Sequence, residues 1–315
     1  MSANKYYLAD QEISLTDVSE RQKLTQRLRQ YLELRNVSFM IGNGGSIRLG
    51  APVITNTRQI KPELQDTRYK LQDAKEQAEA IALLDLLLPA NSNPVNLEYF
   101  LGVLGNFESN ASILPAATTI AVNRKDLGSR EVRLLTRLLK KWLYLRCRSI
   151  SNLAVEDLRY HRELLRRILL RSTTLPRAKL FTTNYDLVLE LSLDSLGIMY
   201  LDGFTGTIKR TLQTQSYHYD LYYPGETTEG HVSRVDRVLH LYKLHGSINW
   251  RRESKGSVSV ISEAGDPSEE SQYGDVMIYP SPLKATEIHG YPYSEMFRHF
   301  STHINQAQSV LFTIG

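Results

Sequence analysis

Short apolar runs and long stretches of helical period occupy separate blocks of this chain. Asp17 with Glu20 forms an N-terminal capping pair, and apolar residues at helical intervals follow to about Arg35, which predicts a first helix. VSFMIG, Val37 to Gly42, is a short run of β-branched and aromatic residues ending in glycine, and it reads as a buried strand. From about Tyr69 to Ser172 the period becomes helical in YKLQDAKEQAEAIALLDLLL, NLEYFLGVLGNF, EVRLLTRLLKKWLYLRC and VEDLRYHRELLRRILLRS, and strand-like runs are scarce. Pro176 closes the last of these helices, AKLFTT gives the next strand, and DLVLEL opens a helix within TTNYDLVLEL. Further strands are expected at IMYL, VLHLYKLHG, VSVI, DVMIYP and SVLFTI, with a helix around Tyr293 to Ala307. ESKGSVSVISEAGDPSEESQYGD, rich in Gly, Ser and acids, reads as a hairpin and exposed loop.

A strand running into the glycine-rich loop NGGSIRLGAP, followed by alternating helices and strands, is the order of an α/β nucleotide-binding sheet. The expected fold is α/β, with a Rossmann-like, mostly parallel sheet formed by residues 37–58 and 176–315 and a large helical insertion over about 60–175. At 315 residues and 42% hydrophobic content the chain can bury a sizeable core. Gly315 directly follows an apolar strand, where such a sheet places a ligand-facing loop, so further C-terminal residues are expected. No window approaches the roughly 18 consecutive apolar residues of a membrane span, and the N-terminus lacks the apolar core of a secretory signal. A cytoplasmic location without a membrane partner is the expectation.

Charge is unevenly spread. Arg124 to Arg177 holds 15 Lys or Arg against 5 Asp or Glu, a surplus of +10 in a chain of net charge +4, so the remainder carries −6. Such asymmetry can mark an anionic partner such as DNA. The alternative is a solvated helix face, because Val132, Leu135, Leu139 and Trp142 recur at helical spacing with the charges mostly between them.

Three short motifs carry candidate chemistry. GNGGS, Gly42 to Ser46, offers bare backbone that can approach an anion closely, although alone it is equally a tight turn. It departs from the dinucleotide fingerprint at Ile47, and Gly50 is followed by Ala51 rather than the phosphate-loop Lys. TTNYD brings Asn184 and Asp186 to a strand end, where either could simply cap the next helix. YKLHGSINW sets His245 at a strand end before Gly246 and Ser247, a place where a lone His is commonly structural. His299 and His303 have metal-pair spacing but lack the Glu-containing metalloprotease pattern and a third ligand. His240, on the strand before His245, is expected to face the opposite side, and Tyr217, Tyr219, Tyr222 and Tyr223 to pack a β surface.

Taken in order, GNGGSIRLGAP, TTNYD and KLHGS resemble the sirtuin-like domain of bacterial anti-phage NAD hydrolases, including those associated with a HerA-type ATPase. The resemblance runs from about Val37 to the last strand and takes in LDGFTG, Leu201 to Gly206. It implies NAD+ as substrate, cofactor-binding roles for Gly42, Asn43, Gly44 and Ser46, and catalytic roles for Asn184 and His245. Thr183, Asp186, Gly246 and Ser247 complete the implied binding set, with Asp186 on the nicotinamide carboxamide.

Two departures refine this. Protein-deacylating sirtuins carry a four-cysteine zinc module, whereas Cys147 is the only cysteine here, so no zinc is expected and deacylation is disfavoured. Those sirtuins also continue after GAP with Asp-Phe-Arg, whereas this chain has Val53, Ile54 and Thr55, and loss of the shielding phenyl suits hydrolysis. The chemistry then explains the residue types. Breaking the bond between nicotinamide and ribose builds positive character on the sugar, an amide can orient water or hydroxyls without adding charge, and an imidazole can take the proton. The expected activity is NAD+ hydrolysis as a depletion effector in abortive infection, regulated through a homo-oligomer and a HerA-type ATPase partner. The rival expectations are a module that senses NAD or ADP-ribose without turnover, and a DNA-associated subunit acting through the basic helical segment.

Overall fold

A computed structural model describes residues 5–8, 11–14, 16–53, 60–64, 66–88, 96–110, 118–122, 125–223, 233–255, 258–265, 272–273, 276–278 and 290–315. Its centre is a five-stranded sheet of β1 (Asn36–Ile41), β2 (Lys179–Thr182), β3 (Met199–Leu201), β4 (Val238–Lys243) and β5 (Ser309–Ile314), in the spatial order β5-β1-β2-β4-β3. Every pairing in it is parallel. The fold is α/β and Rossmann-like, as the strand–loop–helix order predicts.

Register sets the functional edge. Ile41 pairs with Thr182 and with Ile314, and Thr182 pairs with Lys243, so four strands reach their carboxyl ends in one row. All six residues of β4 are buried, the mark of a parallel strand covered on both faces. Alternation along the strands divides the core. Phe39, Leu180 and Leu241 point to one face, where α6 (Arg159–Ile168) and α7 (Val188–Ser195) supply Leu165, Ile168, Leu189 and Leu193. Phe181 and Tyr242 point to the other, against Met296 of α8 (Tyr293–Ile304) and against Trp250 and Leu212. Those last two belong to a four-stranded antiparallel sheet built from Trp250–Lys255, Val258–Glu263, Thr211–Leu212 and Phe204–Thr205.

Between β1 and β2, α3 (Ala74–Leu87), α4 (Leu97–Asn110) and α5 (Ser129–Ser149) form their own apolar cluster, which reaches the site edge through Tyr185, Ile248 and Met277. Three of the seven cations of α5 are matched by acids. Arg130 pairs with Glu79, Arg137 with Glu76 and Arg146 with Glu63, while buried Lys141 donates to the Lys70 carbonyl. The basic surplus of this segment therefore offers fewer unmatched charges than the sequence count suggests.

Several elements differ from the sequence expectation. Antiparallel hairpins pair Lys5–Leu8 with Gln11–Ser14 and Ile120–Val122 with Lys125–Leu127, both too short for periodicity to register. Asp17 caps α1 (Val18–Leu32) by accepting from Ser19 N–H at 2.8 Å, but Glu20 pairs with Lys23 instead of completing a capping box. Asp73 caps α3, accepting from Lys75 N–H at 2.7 Å, so that helix begins later than its apolar period does. Val276–Ile278 is not a strand, and the remainder of DVMIYP lies outside the described residues together with Ile54 and Thr55. Of the four tyrosines, Tyr217 alone is buried, stacked 4.0 Å from Tyr242, whereas Tyr219, Tyr222 and Tyr223 are exposed. Among the described residues no helix is long and apolar enough to cross a membrane.

Gly105 lies inside α4, and a methyl added there meets no atom within 4 Å. Gly105→Ala should therefore stabilise the fold by about 0.5–1 kcal/mol through helix propensity alone. Thermal denaturation should show a rise of about 2 °C in Tm, and a fall would contradict this packing of α4.

Candidate active site at the carboxyl edge of the sheet

The loops leaving β1, β2, β4 and β5 emerge from the same row of paired residues. After β1 the chain folds into α2 (Gly44–Ile47), with Gly42 N–H donating to the Ile314 carbonyl at 2.8 Å and Ser46 N–H to the Asn43 carbonyl at 2.9 Å. The Asn43 side chain donates to the Pro52 carbonyl at 2.8 Å and closes the loop on itself. Gly44 is required by packing: a methyl there would stand 2.7 Å from Gly315 Cα, so two backbones meet where the sequence suggests room for an anion.

Thr182 joins the first two loops. Its hydroxyl donates to the Ile41 carbonyl at 2.7 Å and accepts from Asn184 N–H at 3.0 Å, which fixes the turn containing Thr183. Asn184 is buried and its Nδ2 donates to Ser46 Oγ at 3.1 Å, bridging the glycine loop and TTNYD. Its Oδ1 is buried without a hydrogen-bond partner among the described residues. A buried amide oxygen left this way costs about 1–3 kcal/mol, which a ligand hydroxyl or a water could recover. Asp186, also buried, accepts from Val188 N–H at 3.1 Å through Oδ1, so the helix-start role that the sequence allowed for it is present.

His245 lies two residues beyond Lys243, as Asn184 lies two beyond its register partner Thr182. The two loops are stitched together: Ile248 N–H donates to the Tyr185 carbonyl at 3.0 Å, the fully buried Ser247 hydroxyl to the same carbonyl at 3.3 Å, and the Tyr185 and His245 rings are 6.4 Å apart. Gly246 has φ +82°, and a side chain there would drive its Cβ to 2.2 Å from the Val276 carbonyl oxygen. Only glycine can make this turn without strain, and Ile278 N–H, donating to the His245 carbonyl at 2.9 Å, holds the turn from outside.

The structure therefore brings Gly42, Asn43, Gly44, Ser46, Thr183, Asn184, Asp186, His245, Gly246 and Ser247 to one edge, with Ser247 beneath the surface as a brace. Three further residues support this edge. Lys243, 2% exposed, forms an ion pair with Glu190 at 2.9 Å and donates to the Asp186 carbonyl, which holds the TTNYD turn from below. Burial pushes the Glu190 carboxyl up and Lys243 opposes the shift. The sequence signal for Lys243 is its place at the end of the mostly apolar strand VLHLYK, within KLHGS. His161 of α6 stands against the Gly45 backbone; burial lowers its pKa, with the Asp186 charge and the Gly45 backbone opposing. No motif surrounds it, so nothing in the sequence separates it from a surface helix residue. Among the described residues no group of His, Cys, Asp or Glu could hold a metal ion, and Cys147 is buried.

Lys243→Met leaves Glu190 buried without its cation and should destabilise the protein by about 3 kcal/mol near neutral pH. The Glu190 pKa then lies still further above its unfolded value. Its stabilising contribution is complete below the unfolded pKa and is lost as pH rises through the folded one, so the deficit should grow with pH. Urea unfolding at pH 5.5 and pH 8 checks this, and a deficit independent of pH would rule out Glu190 as the source.

No curated protein matches this chain. Residues 178–315, which hold four of the five strands of the parallel sheet and both the Asn184 and His245 loops, match the family model of the SIR2-like domain. SIR2-like domains bind NAD, and many are NAD-dependent enzymes. The mostly parallel α/β sheet is consistent with a SIR2-like fold.

Proposed function

We propose that this protein hydrolyses NAD+ to nicotinamide and ADP-ribose at the carboxyl edge of the sheet. The observation that carries the reading is the buried Asn184 amide, anchored through Nδ2 to Ser46 with Oδ1 unmatched, on a loop stitched to that of His245. Asn184 Oδ1 accepts from a ribose hydroxyl or the attacking water, and the Ser46 bond holds the amide in the orientation that presents oxygen. The C–N bond between ribose and nicotinamide breaks with its electron pair leaving on the nicotinamide nitrogen, which departs neutral. Water oxygen bonds the sugar carbon, and His245 takes the proton that water loses. Asp186 keeps its helix-start bond through Oδ1 and offers its other oxygen to the carboxamide N–H.

The biological role follows from the motif resemblance and from the chemistry. Unchecked NAD+ hydrolysis would poison the host, so the enzyme serves as a cytoplasmic depletion effector in bacterial anti-phage defence. It is switched on by assembly into a homo-oligomer with a HerA-type ATPase. Size-exclusion chromatography with light scattering should give an oligomer, alone or with the ATPase, and a monomer under both conditions would remove this control scheme.

In the assembled protein, Asn184→Ala and His245→Ala should each lower nicotinamide release by about 10²-fold to 10⁴-fold while the fold is retained. Nicotinamide is followed by chromatography after incubation with NAD+. Binding of NAD+ with no release by the wild type would replace hydrolysis with sensing.

A further inference from the structure

A second cavity, of about 850 Å³, opens at the amino end of the same sheet, and nine of its twenty lining residues are bases. Lys179 of β2 and His240 of β4 are register partners, and Lys179 Nζ lies 2.9 Å from His240 Nδ1. Helix α8 adds His299 and His303, with ring centroids 6.3 Å apart, and His218 stands 4.9 Å from His299 at the mouth. The histidine pair at metal-ligand spacing in the sequence is thus part of a larger basic cluster.

The acids around the cluster are already engaged. Asp220, the single carboxylate lining the cavity among the described residues, is held between Arg177 and Arg234. Glu295, on α8, pairs with Arg298. No carboxylate bonds Lys179 or His240 among the described residues, so this buried contact joins two bases and at least one must be neutral. Burial holds Lys179 down at about 7, with His240 at about 2 and His299 and His303 at about 4. Protonated Lys179 would repel a cation, and among the described residues no third ligand joins His299 and His303 in a group that could hold a metal ion. An anion would supply the missing counter-charge, favour uptake of protons from solvent by the bases and gain charge-assisted hydrogen bonds. The volume suits a nucleotide-sized molecule, and Tyr219 exposes an aromatic face at the rim.

We propose that the amino-edge cavity lined by Lys179, His240, His299 and His303 is a binding site for a phosphate-bearing small molecule of nucleotide size. It lies at the opposite end of β2 from the turn that carries Asn184, about 10 Å along the strand from Lys179 to Thr182, and is separate from the candidate active site. The proposal does not depend on NAD+ hydrolysis.

Isothermal titration of the intact protein with inorganic pyrophosphate tests it. One equivalent should bind with net proton uptake, seen by comparing buffers of different ionisation enthalpy. Lys179→Met and His303→Gln should each weaken binding about 10-fold or more. His303→Gln alters a partly exposed helix residue, so it keeps the test valid if Lys179→Met fails to fold, and unchanged melting temperatures confirm intact protein. Sulfate, whose charge is constant in this range, should bind about 10-fold more weakly at pH 8.5 than at pH 6, because affinity is lost as pH rises through the Lys179 pKa. No binding, binding indifferent to the substitutions of Lys179 and His303, or Zn2+ binding in place of the anion would overturn the proposal.

Discussion

Parallel strands can be entered only from one end, and that constraint builds the site. Ile41, Thr182, Lys243 and Ile314 share a row, so three motifs scattered over about two hundred residues must unload their polar groups onto one edge. Thr182 enforces the alignment, because its hydroxyl bonds β1 and the Asn184 backbone at once. A slip of one residue in β2 would turn Leu180 and Phe181 to the wrong faces and displace Asn184 from Ser46.

Both ends of the sheet use buried charge, in opposite ways. Behind the carboxyl edge Lys243 is matched by Glu190, and the pair braces the TTNYD turn. At the amino edge Lys179, among the described residues, bonds another base and no acid. Matched charge serves rigidity in the first case. In the second the imbalance lies against a cavity, where a mobile anion can reach it. Between them Phe181, Tyr242 and Tyr217 stack through the core, an apolar layer that keeps the two polar ends apart.

Much of this was legible in the sequence where local rules dominate. The β1, β2, β4 and β5 runs, the long amphipathic α5 and the capped start of α1 each carry a periodic or capping signal strong enough to survive tertiary context. The motif order also placed Asn184 and His245 at strand ends, which is where they stand. What escaped depends on contacts distant in sequence. Gly44 is glycine because Gly315 lies against it, and His161 is near the site only because α6 crosses the sheet there. Lys243 is buried with a charge that Glu190 matches, and the basic appearance of α5 is reduced once acids on neighbouring segments are paired with three of its cations. No single-sequence rule contains those partners.

The central claim is that Asn184 and His245 act on one sugar carbon. A double-mutant cycle on nicotinamide release tests it most directly, using Asn184→Ala, His245→Ala and the combined variant in the assembled protein. Groups serving one transition state are non-additive, so the double variant should be no more than several-fold slower than the slower single variant. Losses that multiply in full would mean that the two residues act independently, and a single shared reaction centre would be contradicted.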